Sequence, residues 1–152
     1  MLDCEPVIAV GLIEGAGQID FELQGDYSLG GRVVRAGCYR SSFDRGCIAL
    51  SDARGSELER SARLQYVPAA ASANFFTLHN VAIGRNFHWE RLQSQRFRGE
   101  IAFDTFGTNG ITVVNRIGLE AYLGSVICSE MSPASDAEFL KAHCVISRSW
   151  LL

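Results

Sequence analysis

Proline is scarce in this sequence, with three residues in 152. No apolar run approaches the roughly 20 residues that a bilayer-spanning helix requires, so no membrane span is expected. Positive charge is also in short supply. A formal net charge of −3 argues against a large basic surface, and with it against binding to nucleic acid or anionic lipid. Cysteine is sparse, scattered and odd in number: Cys4, Cys38, Cys47, Cys128 and Cys144 do not make a disulfide framework. Cys38 and Cys47 flank a hairpin-like stretch and could face each other across strands, but the favoured reading is free cysteines acting as small core residues. No pair has the Cys-x-x-Cys spacing of a zinc knuckle. His143 and Cys144 are neighbours on a helical stretch and diverge by about 100°, so they do not easily share one ion, and no metal is expected. The opening Met1-Leu-Asp-Cys-Glu5 lacks a basic region followed by an apolar stretch, so no export signal is read in this sequence. Internal repeats and low-complexity tracts are missing as well.

What is present is an ordinary globular composition, 47% hydrophobic and 20% charged, of a length that suggests one domain with a proper core. Residues 6–114 read as strands. Pro6 to Ile13 is apolar and rich in β-branched residues, and Ile19, Phe21 and Leu23 alternate with Asp20, Glu22 and Gln24 in the period-two pattern of a half-buried strand. Further strands are expected at Tyr27–Leu29, 33–36, Cys47–Leu50, Asn74–Leu78, Val81–Ile83, Phe97–Phe103 and Gly110–Val114. Turn residues recur between them at short intervals, which favours antiparallel meanders. The interval 51–73 is polar and then alanine-rich, and reads as a loop or one helical turn.

The period changes in residues 115–152. Leu119, Tyr122, Leu123, Val126 and Ile127 fall at i, i+3, i+4, i+7 and i+8, one helical stripe. Ser132-Pro133 stops this helix, because the residue before proline is pushed out of the helical region. A second helix opens on Ser135-Asp-Ala-Glu138, read as a capping box between Ser135 and Glu138. From Ala142 onward it is apolar nearly all round. The fold class expected is α+β: an antiparallel strand-rich body with two C-terminal helices joined at a corner that carries Glu130 and Met131.

These last residues resemble the SpoIID/LytB family of sporulation peptidoglycan enzymes and amidase enhancers. The family's Asn-Arg-x-x-Leu-Glu-x-Tyr-Leu stands here as Asn115 to Leu123, its Glu-Met pair as Glu130-Met131, and its Leu-Lys-Ala as Leu140 to Ala142. Val126, Pro133, Val145 and Arg148 match too. The chain departs from the pattern at His143, where the family has glutamine, and at Cys144, Ile146, Ser147, Ser149 and Trp150. Phe87-His88-Trp89-Glu90 looks like the family's strand region ahead of the catalytic segment. Family members continue beyond the match, so the expectation is a single SpoIID-like domain over 1–152, truncated at its C-terminal end.

The resemblance implies a lytic transglycosylase that cleaves the β-1,4 bond between N-acetylmuramic acid and N-acetylglucosamine and leaves a 1,6-anhydro end. It implies no cofactor, a location outside the cytoplasmic membrane, peptidoglycan glycan strands as substrate and a cell-wall amidase as a further partner. The catalytic acid of the Glu-Met pair carries over to Glu130. One carboxyl group would serve where ordinary glycosidases use two, and holding its proton near neutral pH calls for apolar shielding, for which Val126, Ile127 and Met131 are the neighbours in sequence.

Other residues have competing readings. Arg148 on an apolar helix needs a counter-charge, and is a candidate for holding the substrate; Tyr122 is a core residue or a substrate contact; Trp89, with Phe87, is a strand core residue or a sugar-stacking face. His88 could be a general base, although a histidine beside an aromatic on a strand is more often structural. Lys141 is read as solvated. Glu120 lies about 280° around an ideal helix from Glu130, and is read as an N-terminal charge that does not share its face. The exposed apolar face of the second helix suggests a homodimer. Two further classes stay open beside the enzyme: a non-catalytic glycan-binding or amidase-enhancing module, and an interaction domain in which Glu130 is inert.

Overall fold

A computed structural model describes residues 5–70, 73–83, 88, 91–105, 109–132 and 134–151, apart from the side chains of Ile83 and Cys128. Among these residues twelve strands and two helices follow one another: β1 Val7–Ala16, β2 Gln18–Gln24, β3 Tyr27–Leu29, β4 Arg32–Val34, β5 Gly37–Asp44, β6 Cys47–Asp52, β7 Glu57–Ser61, β8 Arg63–Pro68, β9 Phe75–Ile83, β10 Arg91–Phe97, β11 Glu100–Asp104, β12 Ile111–Gly118, α1 Leu119–Glu130 and α2 Ala137–Leu151. The class is α+β, as the sequence patterning indicates. Two compact units divide the chain, Ala9–Arg116 and Met1–Ile8 with Ile117–Leu152.

The strands form two six-stranded sheets, in the orders β1-β12-β11-β8-β3-β4 and β10-β9-β2-β5-β6-β7. Antiparallel pairing runs through both, for example Phe21↔Tyr39 between β2 and β5 and Ile101↔Tyr66 between β11 and β8. Alternation decides which face is inward. Ile19, Phe21 and Leu23 are buried while Asp20, Glu22 and Gln24 stay partly exposed, as the period-two pattern requires. The two inner faces meet in one core. Phe21 from one sheet lies 4.9 Å, centroid to centroid, from Phe103 of the other and 5.7 Å from Tyr66, and the Tyr66–Phe103 pair is edge-to-face.

Burial pushes the Tyr27 phenol up to about 12 and raises that of Tyr66 as well. A raised phenol stays protonated in the folded state after the unfolded chain has begun to ionise. The stability linked to these two groups is therefore complete below about pH 10 and is lost as the pH climbs through the folded value. Alkaline denaturation followed by circular dichroism is expected to steepen above about pH 10, and to steepen less in Tyr27→Phe.

Three local features depart from the strand expectations. The interval 51–73, expected as a loop or one helical turn, holds two strands, β7 and β8, and ends in a single turn in which the Ala70 carbonyl accepts from the N–H groups of Ala73 and Asn74 at 3.1 and 2.9 Å. In β8 the inward signal is two residues, Leu64 and Tyr66, set between Arg63 and a half-exposed Val67, so it is easily lost among polar and alanine-rich flanks. Strand β7 is an edge strand with a polar face, held by Arg60 to Glu57 at 2.8 Å and to Asp44 at 2.7 Å, and by Glu59 to Arg32 at 2.9 Å. Charge of this kind also blunts an edge against pairing with another chain.

The stretches expected as separate strands at Asn74–Leu78 and Val81–Ile83 are one strand, β9, with a bulge. Gln93 pairs with Val81 and Gln95 with Leu78, so Ser94 faces two residues, His79 and Asn80. Asn80 takes φ 58°, a left-handed conformation that asparagine tolerates better than most residues. The extra residue resets the alternation and keeps both Leu78 and Val81 inward.

The reverse happens at Phe97–Phe103. Gly99, at φ +90°, ends one strand and begins another, and β10 and β11 belong to different sheets. Finally, Cys38 and Cys47 lie at opposite ends of the β5–β6 hairpin, because Cys47 pairs with Asp44 while Tyr39 pairs with Asp52. Both are free thiols, as the favoured reading has it, but Cys38 is exposed and Cys47 half-buried, so neither is the core residue expected.

Candidate functional site

Strand β12 runs on to Gly118, so the helix starts at Leu119 and Asn115 to Gly118 remain in the sheet. Pairing explains the shift: Asn115 sits opposite Ile101 and Arg116 opposite Glu100. Asn115 is buried, and its side-chain amide donates to the carbonyls of Arg98 and Glu100 at 2.8 and 2.9 Å. Arg116 lies 3.5 Å from the Glu100 carboxylate. These two motif residues tie β12 to the β10–β11 turn.

Helix α1 begins without a capping side chain of its own, since its cap position is Gly118. Glu5 supplies the missing group: its Oε1 accepts a 2.7 Å hydrogen bond from the Glu120 N–H, and the Pro6 carbonyl accepts from Leu119 N–H at 2.9 Å. A Cβ at position 118 would stand 2.6 Å from that same Glu5 oxygen, so glycine is what lets the carboxylate approach. Leu119 and Leu123 are buried, and Tyr122, Val126 and Ile127 are half-buried, as the stripe anticipates.

The helix ends at Glu130. Met131 leaves in an extended conformation while its N–H still donates to the Ile127 carbonyl at 3.0 Å. Pro133 lies outside the described residues; around it, the Ser135 N–H donates to the Ser132 carbonyl at 2.9 Å and closes the corner. The cap of α2 is Asp136, whose Oδ1 accepts from the N–H groups of Glu138 at 2.9 Å and Phe139 at 3.3 Å. The capping box expected of Ser135 and Glu138 is thus replaced by an aspartate cap one residue later, with Glu138 turned to Lys141 at 2.7 Å. Asp136→Ala is expected to lower thermal stability by about 1 kcal/mol, measured by denaturant titration, whereas Ser135→Ala leaves it within about 0.5 kcal/mol.

Two carboxylates of α1 reach across to α2. Glu120 Oε2 accepts from the Arg148 guanidinium at 2.6 Å, and Glu130 Oε2 lies 3.1 Å from His143 Nε2. The Glu120 carboxylate raises Arg148 above its ordinary value through that bond and its charge, so the guanidinium is firmly cationic. Arg148 therefore has the counter-charge its position demands. The 280° between Glu120 and Glu130 does not separate their faces as expected, because it is 80° by the shorter way round. Both point to the same neighbour.

Around Glu130 the apolar shielding expected from sequence is not what the side chain meets. It is 56% exposed, and its partner is an imidazole that is 20% exposed. Tyr122 is half-buried and His88 exposed. Trp89 and Phe87 lie outside the described residues. The residue that sequence reasoning missed is His143. As a partner of Glu130 its signal was the departure from glutamine at that place in the motif; the metal-ligand reading with Cys144 does not point to it.

Helix α2 contains no buried residue, and Phe139, Val145, Ile146 and Trp150 are more than half exposed, Trp150 at 88%. No helix among the described residues is long and apolar enough to cross a membrane. On the strand-rich unit a cleft of about 310 Å³ is lined by Asp20, Arg40, Asp52 and His79 among others. Asp20 and Arg40 satisfy each other there at 2.6 Å, and the guanidinium holds the Asp20 carboxyl below its usual range. Those two charges neutralise each other.

Comparison with known proteins bears on the helical corner. The SpoIID family model, described as stage II sporulation protein, matches residues 107–152. The C-terminal segment is SpoIID-like. The match covers less than a third of the chain and includes both helices and the Glu130-Met131 corner. No curated protein and no solved structure matches the chain. The SpoIID match relates this segment to sporulation and cell-wall proteins.

Proposed function

We propose that this protein is a peptidoglycan lytic transglycosylase that acts outside the cytoplasmic membrane and uses Glu130 as a single acid and base. The observation that carries the reading is the SpoIID match across a corner that presents Glu130 at the end of α1, over half exposed and reachable by a polymeric substrate. Glu130 gives its proton to the oxygen linking N-acetylmuramic acid to N-acetylglucosamine, and the bond from the anomeric carbon to that oxygen breaks. The sugar's own 6-hydroxyl attacks the anomeric carbon and returns its proton to Glu130. A 1,6-anhydro ring forms, no water is consumed, and the carboxyl group is restored. The glycan strand, laid over the corner, completes the shielding that the free side chain lacks.

Mass spectrometry of peptide-free glycan strands incubated with the chain tests this. Anhydromuramyl ends are the expected product, and intact strands or ordinary reducing ends would reject the proposal.

A second reading is favoured by the exposed aromatic face of α2. Trp150 and Phe139 offer rings to a sugar surface, as a non-catalytic glycan-binding or amidase-enhancing module would. In that case wild type and Glu130→Gln retain glycan equally in a pull-down, and neither yields anhydro ends.

A further inference from the structure

The Glu130 carboxylate sits at a helix end with more than half of its side chain in solvent, a setting in which a glutamate samples several rotamers. An acid that must meet one glycosidic oxygen does not work well from a wandering position, since misplacement by about 1 Å can cost about a hundredfold in rate. Among the described residues Glu130 has one hydrogen-bond partner. His143 Nε2 stands 3.1 Å from Oε2, and the imidazole is four-fifths buried, so it is the better-anchored member of the pair. His143 is also where the chain departs from the SpoIID pattern, which has glutamine. Glutamine and histidine share one relevant capability: each carries a side-chain N–H that can donate to a carboxyl oxygen.

We infer that His143 is a positioning residue for Glu130, donating its Nε2–H to Oε2 and thereby turning Oε1 toward the substrate. This role rests on Glu130 being the acid and base. It also has a direction in the reaction. When Glu130 gives up its proton, the bond from Nε2–H becomes charge-assisted and shorter, so the donor stabilises the developing carboxylate more than the resting acid. An interaction that strengthens along the reaction shows in kcat rather than in KM.

The test uses the whole chain with peptide-free glycan oligosaccharides and two variants. His143→Leu, which keeps bulk but has no donor, is expected to lower kcat about tenfold to a hundredfold with KM within about twofold. His143→Gln is expected to recover to within about threefold of the wild-type kcat. Nitrogen-15 NMR of the imidazole supplies a readout that does not depend on activity: the wild type shows the Nε2–H tautomer, and Glu130→Gln moves the Nε2 resonance. An active enzyme in which His143→Leu matches the wild type overturns the positioning role alone, as does an Nδ1–H tautomer with bare Nε2. A wild type that forms no anhydro ends while its NMR signature is as expected overturns the catalytic reading of Glu130, and the role of His143 falls with it.

Discussion

Glu130→Gln is expected to reduce formation of anhydromuramyl ends by about a thousandfold or more, while glycan binding stays within about twofold. The amide keeps the size of the carboxyl group and can still hydrogen-bond, but it has no proton to give and does not take one back. Loss of general acid–base catalysis typically costs 10²–10⁴-fold, and here one group performs both halves of the proton transfer, which places the loss in the upper part of that range. The fold is expected to be unaffected, because Glu130 is exposed and its one described hydrogen-bond partner, His143, can accept from or donate to an amide equally well. Equal melting temperatures for the two proteins, with product measured by chromatography and mass spectrometry, check both halves of the prediction. A variant that keeps a tenth of the wild-type rate would remove Glu130 from the chemistry.

The second large effect concerns the core. Phe103→Ala is expected to destabilise the strand-rich unit by about 3–5 kcal/mol. Phe103 is fully buried and stands at the junction of the two sheets, against Phe21 at 4.9 Å and Tyr66 at 5.7 Å between ring centroids. Removing the ring forfeits its transfer from water and leaves a cavity walled by other rings, which do not collapse easily. For a domain whose net stability is of the order of 5–15 kcal/mol, that is a large share. Phe103→Leu keeps most of the volume and is expected to cost about 1–2 kcal/mol. Urea titration of the three proteins measures this directly; an alanine variant within about 1 kcal/mol of the wild type would mean that the two sheets do not share a core.

Much of this was legible in the residues themselves. The alternation of Ile19, Phe21 and Leu23 gave the face of β2, and the stripe from Leu119 to Ile127 gave α1 and its inward side. Both patterns are long enough for periodicity to speak. The failures occurred where one residue overrides a pattern. Gly99 reads as part of a strand yet sends the chain to another sheet, and Asn80 inserts a bulge that makes one strand look like two. Strand β7 has almost no apolar signal because it is an edge strand held by ion pairs.

For the site, the Glu-Met corner was visible from its motif, whereas its surroundings were not. Which side chain faces Glu130 depends on how α2 returns along α1, and that is set by the corner and by the cap at Asp136 rather than by any local pattern. The relation of Glu120 to Glu130 was obscured for a simpler reason. An angle of about 280° suggests separate faces, although around a helix it leaves the two residues about 80° apart.

The proposal that Glu130 drives an intramolecular ring closure can be tested most directly by running the reaction in heavy-oxygen water and weighing the new glycan ends. The expected result is an anhydromuramyl end lighter by one water than a reducing end and free of the heavy isotope, since the attacking oxygen comes from the sugar. New reducing ends that carry heavy oxygen would contradict it, because they would show that water, and not the 6-hydroxyl, attacks the anomeric carbon.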